Sequence, residues 1–292
     1  MKFGVSSMTA TLRVVAVRKP GPSLIKADPA KWHYGQHFDS GKVIDQHEAF
    51  VACLSSAGCD VVFMENDDLG IADAVFTYDA SLITHSGALL MSPGKFLRQG
   101  EQNVHRNFYE SQGIPVFGEI AGDGHAEAGD SLWLDDTVLA VGRGFRTNQS
   151  GIDQISSYMD EIGIAVRSFD LPYYQGQEAC LHLMSLVSLV DTRKALVLLE
   201  LLPVALRDLM LDLGYTLIPA PMSEFQSSGT LSTNVLTTSP GKCIMLAGLP
   251  KTRAVLETAG IEITVFDGDA LCIGCEGGPT CLTRPVLRSD QI

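Results

Sequence analysis

Apolar and polar positions along the chain fall into one block that recurs five times. Each block is an amphipathic stretch of helical period, a glycine, and a short run rich in β-branched and aromatic residues. The junctions are Gly58 before Cys59-Asp60-Val61-Val62-Phe63, Gly113 before Ile114-Pro115-Val116-Phe117, Gly163 before Ile164-Ala165-Val166, Gly214 before Tyr215-Thr216-Leu217-Ile218, and Gly260 before Ile261-Glu262-Ile263-Thr264-Val265. A glycine at each junction can take the left-handed conformation that ends a helix. Successive junction glycines lie 55, 50, 51 and 46 residues apart, a spacing that marks a repeat architecture.

Between junctions a hairpin of apolar strands recurs. Ser81-Leu82-Ile83-Thr84 turns at His85-Ser86-Gly87 into Ala88-Leu89-Leu90-Met91. Ser131-Leu132-Trp133-Leu134 turns at Asp135-Asp136 into Thr137-Val138-Leu139-Ala140-Val141. Leu183 to Val190 with Ala195 to Leu199 is a third, and Val235 to Thr238 with Cys243 to Leu246 a fourth. Asp, Gly, Ser and Pro at the turns are hairpin residues. The fifth hairpin needs both chain ends, Leu282 to Val286 against Leu12 to Val17, and that pairing closes a ring and hides two sheet edges. Strand, strand, helix, strand, five times over, predicts an α/β fold. It is a closed five-bladed α/β propeller with pseudo-fivefold repeats, a single domain over residues 1–292. The segment 19–39, with Pro20, Gly21, Pro22, Pro29, Gly35 and the aromatic pair Trp32 and Tyr34, predicts a loop. It reads equally as a surface loop and as a lid within the domain.

The residues just before each hairpin recur in register. Asp79 lies 21 positions after its junction glycine, Glu127 14 and Asp130 17, His182 19, Asn234 20 and Cys281 21. Side chains at similar offsets come to the same end of a fivefold ring. A carboxylate, a histidine and a cysteine then converge on one axial cavity. The plainer alternative is a set of common loop residues that share a register. A cysteine attacks electrophilic carbon as thiolate. A histidine protonates a leaving amine and then activates water. Carboxylates bind a cation. The set points to a guanidinium or amidinium carbon.

Composition narrows the class. Of the 292 residues 46% are hydrophobic and 19% charged, with a mean hydropathy of +0.16, which excludes a disordered chain. No apolar stretch reaches 18 residues, so no membrane-spanning helix is expected. The first residues lack the pattern of a secretory leader, and seven cysteines in no paired framework suit reduced thiols, so a cytoplasmic setting is expected. A net charge of −13 leaves no basic footprint for nucleic acid and suits a cationic small substrate. Cys272, Cys275 and Cys281 lack a fourth ligand for zinc, so no metal and no cofactor are expected. Cys53, Cys180 and Cys243 fall in apolar runs and read as packing residues, and a disulfide of Cys275 with Cys281 is not expected.

Nearly the whole chain resembles the guanidino-group-modifying superfamily of propellers, the penteins. These are arginine deiminases, amidinotransferases and dimethylarginine dimethylaminohydrolases. The resemblance rests on Asp73-Ala74-Val75-Phe76-Thr77-Tyr78-Asp79, on Pro93-Gly94-Lys95-Phe96-Leu97-Arg98-Gln99-Gly100-Glu101 and on Glu127-Ala128-Gly129-Asp130. It continues in Arg146-Thr147-Asn148-Gln149, Leu181-His182-Leu183 and Gly277-Gly278-Pro279-Thr280-Cys281. It is strongest toward the dimethylarginine dimethylaminohydrolases. It implies Cys281 as nucleophile through a thiouronium intermediate, His182 as general acid and base, and Glu127 as the group that orients His182. It implies Asp79 and Asp73 at the guanidinium, Arg98 and Arg146 on the substrate carboxylate, Glu276 near the substrate amino group, and the 19–39 segment as lid. Arg98 and Arg146 also read as structural residues.

Two positions depart from that family. Tyr78 stands where an acidic residue is usual, and Ala128 replaces a glycine. Arginine deiminases place an Asp where Met184 stands. A thioether at that point, with Tyr78 beside it, is expected to favour a methylated nitrogen. The expected function is hydrolysis of N-methylated arginine, a small-molecule guanidino substrate, to citrulline and methylamine or dimethylamine. The alternatives are an arginine deiminase, a dihydrolase or an amidinotransferase on another guanidino compound and, last, a non-catalytic binding propeller. A second copy of the chain, as a homodimer, is the one macromolecular partner left open.

Overall fold

Every junction glycine ends a helix in the left-handed region, with φ from +68° at Gly113 to +84° at Gly260. In the computed structural model, which describes residues 1–65, 70–177, 179 and 181–290, the strands form five three-stranded sheets. In the first blade Ser81–Thr84 pairs antiparallel with Gly87–Leu90, which pairs parallel with Val116–Glu119 across the helix Glu101–Gln112. Ser131–Trp133, Val138–Arg143 and Ala165–Asp170 repeat the pattern around the helix Gln149–Asp160. Val187–Asp191, Lys194–Val197 and Thr216–Pro219 do so around Val204–Asp212, and Leu236–Ser239, Lys242–Leu246 and Glu262–Phe266 around Pro250–Thr258.

The fifth blade is built from both ends of the chain. Arg284–Arg288 pairs antiparallel with Leu12–Val17, with Ala16 opposite Arg284 and Leu12 opposite Arg288. Leu12–Val17 then runs parallel to Asp60–Phe63. The ring is closed as the pattern predicts, and the chain belongs to the five-bladed α/β propeller fold.

Burial is graded across each blade. The first strand is the inner one, and all of Ser81–Thr84 and Ser131–Trp133 is buried. The third strand lies at the rim, where Asp60–Phe63 and Thr216–Pro219 are partly exposed. Helices turn one face inward. Phe50 and Leu54, Val104 and Phe108, and Ile155 and Met159 are buried, each pair four residues apart, while Ala52, Asn107 and Ser157 between them face water.

Two readings need correction. The 19–39 segment is not a plain loop. It forms two short helical turns, Pro22–Ile25 and Pro29–Trp32, each with proline at its start, the second capped by Asp28 accepting from the Ala30 amide at 3.0 Å. The third hairpin begins later than the apolar run suggests. Leu183–Ser185 is a single helical turn and the strand starts at Val187.

Two glycines separate backbone strain from collision. At Gly113, φ is +68° and a Cβ would meet nothing within 4 Å; at Gly87, φ is +131° and a Cβ would sit 2.2 Å from the Pro115 carbonyl oxygen. Gly113→Ala is expected to cost about 1 kcal/mol. Gly87→Ala should cost about 3 kcal/mol or more, since strain and overlap add. Urea unfolding of both variants measures the difference.

Candidate active site

Single helical turns precede four of the inner strands, at Ala72–Val75, Ala128–Asp130, Leu183–Ser185 and Leu231–Thr233. Glu127 opens the second of these turns, His182 opens the third, and Asn234 closes the fourth. Asp79 follows the first, and Cys281 lies just before the strand Arg284–Arg288. Asp73, Asp79, Arg98, Arg146, His182, Glu276 and Cys281 line one cavity of about 420 Å³. Glu127 lies behind its wall with no exposure.

Three charged clusters fix the cavity. In the first, Glu127 Oε2 lies 2.7 Å from His182 Nε2 and accepts from Arg146 Nη1 at 3.1 Å. Burial by itself would raise the Glu127 pKa. The Arg146 guanidinium and the hydrogen bond to His182 outweigh it and hold the carboxyl well below its usual range. An ionised carboxylate only accepts, so Nε2 of His182 carries the shared hydrogen.

In the second cluster Arg98 lies buried between two carboxylates. Its Nη1 donates to Asp79 Oδ2 at 2.6 Å, its Nε to Glu101 Oε2 at 3.0 Å, and its Nη2 to the Phe76 carbonyl at 3.0 Å. Burial raises the Glu101 pKa to about 8 against the pull of Arg98, and Oε1 of Glu101 has no partner. One guanidinium, one carboxylate and one protonated carboxyl leave this cluster neutral.

In the third cluster Asp73 accepts from Tyr34 Oη at 2.7 Å and from Lys95 Nζ at 2.6 Å. Burial and the nearby Asp73 push the Tyr34 hydroxyl far above its ordinary value, so it stays a donor. Lys95 also donates to the Trp32 carbonyl at 3.2 Å and lies over the Trp32 ring. The segment 19–39 is thereby fastened to the cavity.

The thiol is braced from a neighbouring blade. Asn234 Nδ2 donates to Cys281 Sγ at 3.2 Å, and Asn234 Oδ1 accepts from the Thr280 amide at 2.9 Å. Cys275, also on the cavity wall, is buried. Burial and then Asp73 raise its pKa, so it stays protonated. The run Arg146-Thr147-Asn148-Gln149 resolves into separate contacts. Arg146 meets Glu127, and Thr147 donates to Asp130 at 2.6 Å and accepts from the Glu127 amide. Asn148 caps the helix Gln149–Asp160 through the Gly151 amide, and Gln149 donates to Asp153 at 2.8 Å. Asp130 in turn accepts from the Leu183 amide at 2.9 Å, tying the His182 turn to its neighbour. Its pKa rises to about 6 by burial, against His182 and Thr147.

The structure corrects three expectations. Arg98, expected on a substrate carboxylate, is held instead by Asp79, Glu101 and the Phe76 carbonyl. Tyr78 is absent from the cavity. Its ring lies under the Arg284 guanidinium at 4.2 Å and its hydroxyl points at Met8. Met184 lines the same rear space as Tyr78, so the two do not form a methyl pocket at the thiol. Lys95, Trp32 and Phe76 also stand on the cavity wall, and the sequence pattern assigns none of them a role there. Lys95 stood inside a family motif, and Trp32 inside the segment read as a lid. The Cys180 reading lies outside the described residues.

Asp79, Glu127 and His182 present donor atoms within 4.8 Å of one another, the one cluster of that kind among the described residues. Both carboxylates already face a guanidinium, which leaves little negative charge for a cation there.

A family model described as "N,N dimethylarginine dimethylhydrolase, eukaryotic" matches residues 30–269. An uncharacterized protein of Bacillus subtilis is 30% identical over 246 residues, 84% of this chain and 80% of that one. An N(G),N(G)-dimethylarginine dimethylaminohydrolase of Streptomyces coelicolor is 27% identical over 272 residues, 91% of this chain and 94% of that one. The N-terminal domain of a cyanobacterial arginine dihydrolase, solved with substrate, superposes with a TM-score of 0.78 over 95% of this chain and 99% of that domain at 19% identity. That likeness concerns the fold.

The Arg98 cluster makes a paired prediction. Arg98→Met leaves Asp79 buried without its cation and should cost about 3–5 kcal/mol. Glu101→Gln keeps a neutral partner and should cost less than about 1 kcal/mol at neutral pH. The wild-type carboxyl holds its proton more tightly folded than unfolded. Its contribution is complete below the ordinary carboxylate pKa and is lost as pH rises to about 8. Thermal unfolding between pH 5 and pH 9 should show that fall in wild type and a flatter profile in Glu101→Gln.

Proposed function

The chain belongs to the N,N-dimethylarginine dimethylhydrolase family, and we propose that this amidine hydrolase cleaves the C–N bond of an N-methylated arginine through a covalent bond to Cys281. The observation that carries this reading is the single cavity shared by Cys281, His182 and Asp79, with Glu127 at 2.7 Å from His182. The Cys281 thiolate attacks the guanidinium carbon and an S–C bond forms. The C–N bond to the methylated amine breaks as His182 gives that nitrogen a proton, leaving a thiouronium on Cys281. Water then loses a proton to His182 and attacks the same carbon. The S–C bond breaks, and citrulline and the amine are the products.

The other groups hold this geometry. Glu127 holds the His182 ring from one side and the Ser185 amide, which donates to the same side chain, holds it from the other, so the ring is fixed in place beside the thiol. Asp79 faces the guanidinium, and Arg98 acts as a positioning residue that fixes Asp79. Asp73 shapes the far wall. Lys95 and Arg146 line both the cavity and the outer groove beside His33 and Phe145, so they suit the substrate carboxylate in the place first expected for Arg98. Glu276, whose carboxyl burial raises against Lys95 and Arg146, stands by the amino group. Trp32 and Phe76 supply apolar wall for methyl groups.

A second reading, an unsubstituted arginine as substrate, is favoured by one observation. Met184 and Tyr78 stand behind the cavity, so nothing they do selects for methyl groups. Steady-state kinetics with arginine, monomethylarginine and asymmetric dimethylarginine distinguish the two. A methylated substrate is expected to give at least about tenfold higher kcat/KM, with citrulline and amine released in equal amounts. A tenfold preference for arginine, or release of ornithine, transfers the assignment to the deiminase, dihydrolase or amidinotransferase class.

The nucleophile and the base have separate signatures. Cys281→Ser should lower turnover by on the order of 10⁴ or more while leaving the fold intact. His182→Ala should slow or trap the covalent adduct, seen as added mass on the intact protein after mixing with substrate. Turnover of Cys281→Ser within tenfold of wild type removes the thiol from the chemistry.

A further inference from the structure

Directly behind the thiol site lies a second cavity. Its wall is made by the chain neighbours of the site residues. Tyr78 precedes Asp79, Met184 follows His182 by two, Val235 follows Asn234, and Thr280 precedes Cys281. Two arginines, Arg284 and Arg288, also line it, and both are almost fully buried. Neither forms an ion pair with a carboxylate among the described residues. Arg284 Nη1 donates to the carbonyls of Tyr78 and Ser81, and its buried Nε has no partner. Arg288 donates to the carbonyls of Ala10 at 2.7 Å and Thr237 at 2.8 Å. The free space admits about one water-sized particle. Ser7, Met8, Leu189 and Arg288 also line an open surface groove, which gives the cavity a route to solvent.

A guanidinium does not lose its proton in a protein, so burial cannot neutralise these two groups as it neutralises Glu101. Two like charges sharing one small buried space repel, and carbonyl partners and the Tyr78 ring offset only part of that. The remaining ligand is a small anion. We propose that this rear cavity binds one halide-class inorganic anion, such as chloride, between Arg284 and Arg288. The site is linked to the nucleophile by two hydrogen bonds. Arg284 donates to the Tyr78 carbonyl at 2.9 Å, and the Tyr78 amide donates to the Cys281 carbonyl at 3.1 Å. Occupancy therefore steadies the turn that carries Cys281.

The test uses the full-length protein and halide itself. Unfolding midpoints are measured from zero to 200 mM chloride, with gluconate holding ionic strength constant. A saturable rise of roughly 2–5 °C is expected in wild type, absent in Arg288→Gln. Crystals grown in bromide should show an anomalous peak between the two guanidinium groups. A midpoint indifferent to chloride, together with water rather than bromide at that point, overturns the proposal. The bromide measurement decides on wild type alone if Arg288→Gln does not fold. A bromide peak with no chloride-dependent midpoint marks an adventitious ion only, and also counts against it.

Discussion

Charge brought out of water has to meet opposite charge, and that constraint organises the mouth of this propeller. Asp79, Glu127 and Asp73 are buried within one cavity wall, and each is matched by a cation of its own: Arg98, Arg146 and Lys95. Without Arg146, Glu127 would be driven toward the protonated form that Glu101 adopts, and His182 would lose the acceptor that fixes its tautomer. The chemistry proposed for Cys281 and His182 therefore depends on guanidinium groups that do not themselves react.

The fold delivers these groups by repetition. Each inner strand is entered through a turn at the same end of its blade, so five turns place five side chains around one axis. The pairing of Arg284–Arg288 with Leu12–Val17 makes this possible, because it joins the Cys281 turn to the rest of the ring. Hydrogen bonds between neighbouring turns, Asp130 to the Leu183 amide and Asn234 to Cys281 and Thr280, then hold the turns in mutual register. Precision at the site comes from contacts between blades more than from any one blade.

Much of this was legible in the sequence because it rests on period and on backbone conformation. The junction glycines and the hairpins set the strand order, and similar offsets from those glycines bring Asp79, His182, Asn234 and Cys281 to one end. What the pattern does not hold is the direction of a side chain. Tyr78 and Asp79 are adjacent, yet one faces the rear and the other the cavity, as alternation along extended backbone requires. Arg98 matched a family motif, but its partner depends on Glu101, three residues on and one helical turn away in a different element. The segment 19–39 read as a loop because its prolines break periodicity. The same prolines start its two short turns, and Trp32 and Tyr34 enter the site through contacts with Lys95 and Asp73 that no local pattern encodes.

The pairing also bears on what the proposed site can admit. Asp73, Asp79 and Glu127 are each already paired with a cation, so a guanidinium arriving there finds these three carboxylates neutralised. Two carboxyls nearby, Glu101 and Glu276, are held up by burial, and each lies close to a cation of the site. A positive substrate group would favour the ionised form of Glu101 and so add counter-charge on binding. Its carboxylate, directed at Lys95 and Arg146, would at the same time draw Lys95 away from Asp73 and leave that carboxylate for the guanidinium end or for Tyr34 alone. Lys95 also holds Trp32, so any such shift passes to the 19–39 segment. On the proposed reading, binding at the carboxylate end and the seating of that segment are one event, coupled through a single lysine.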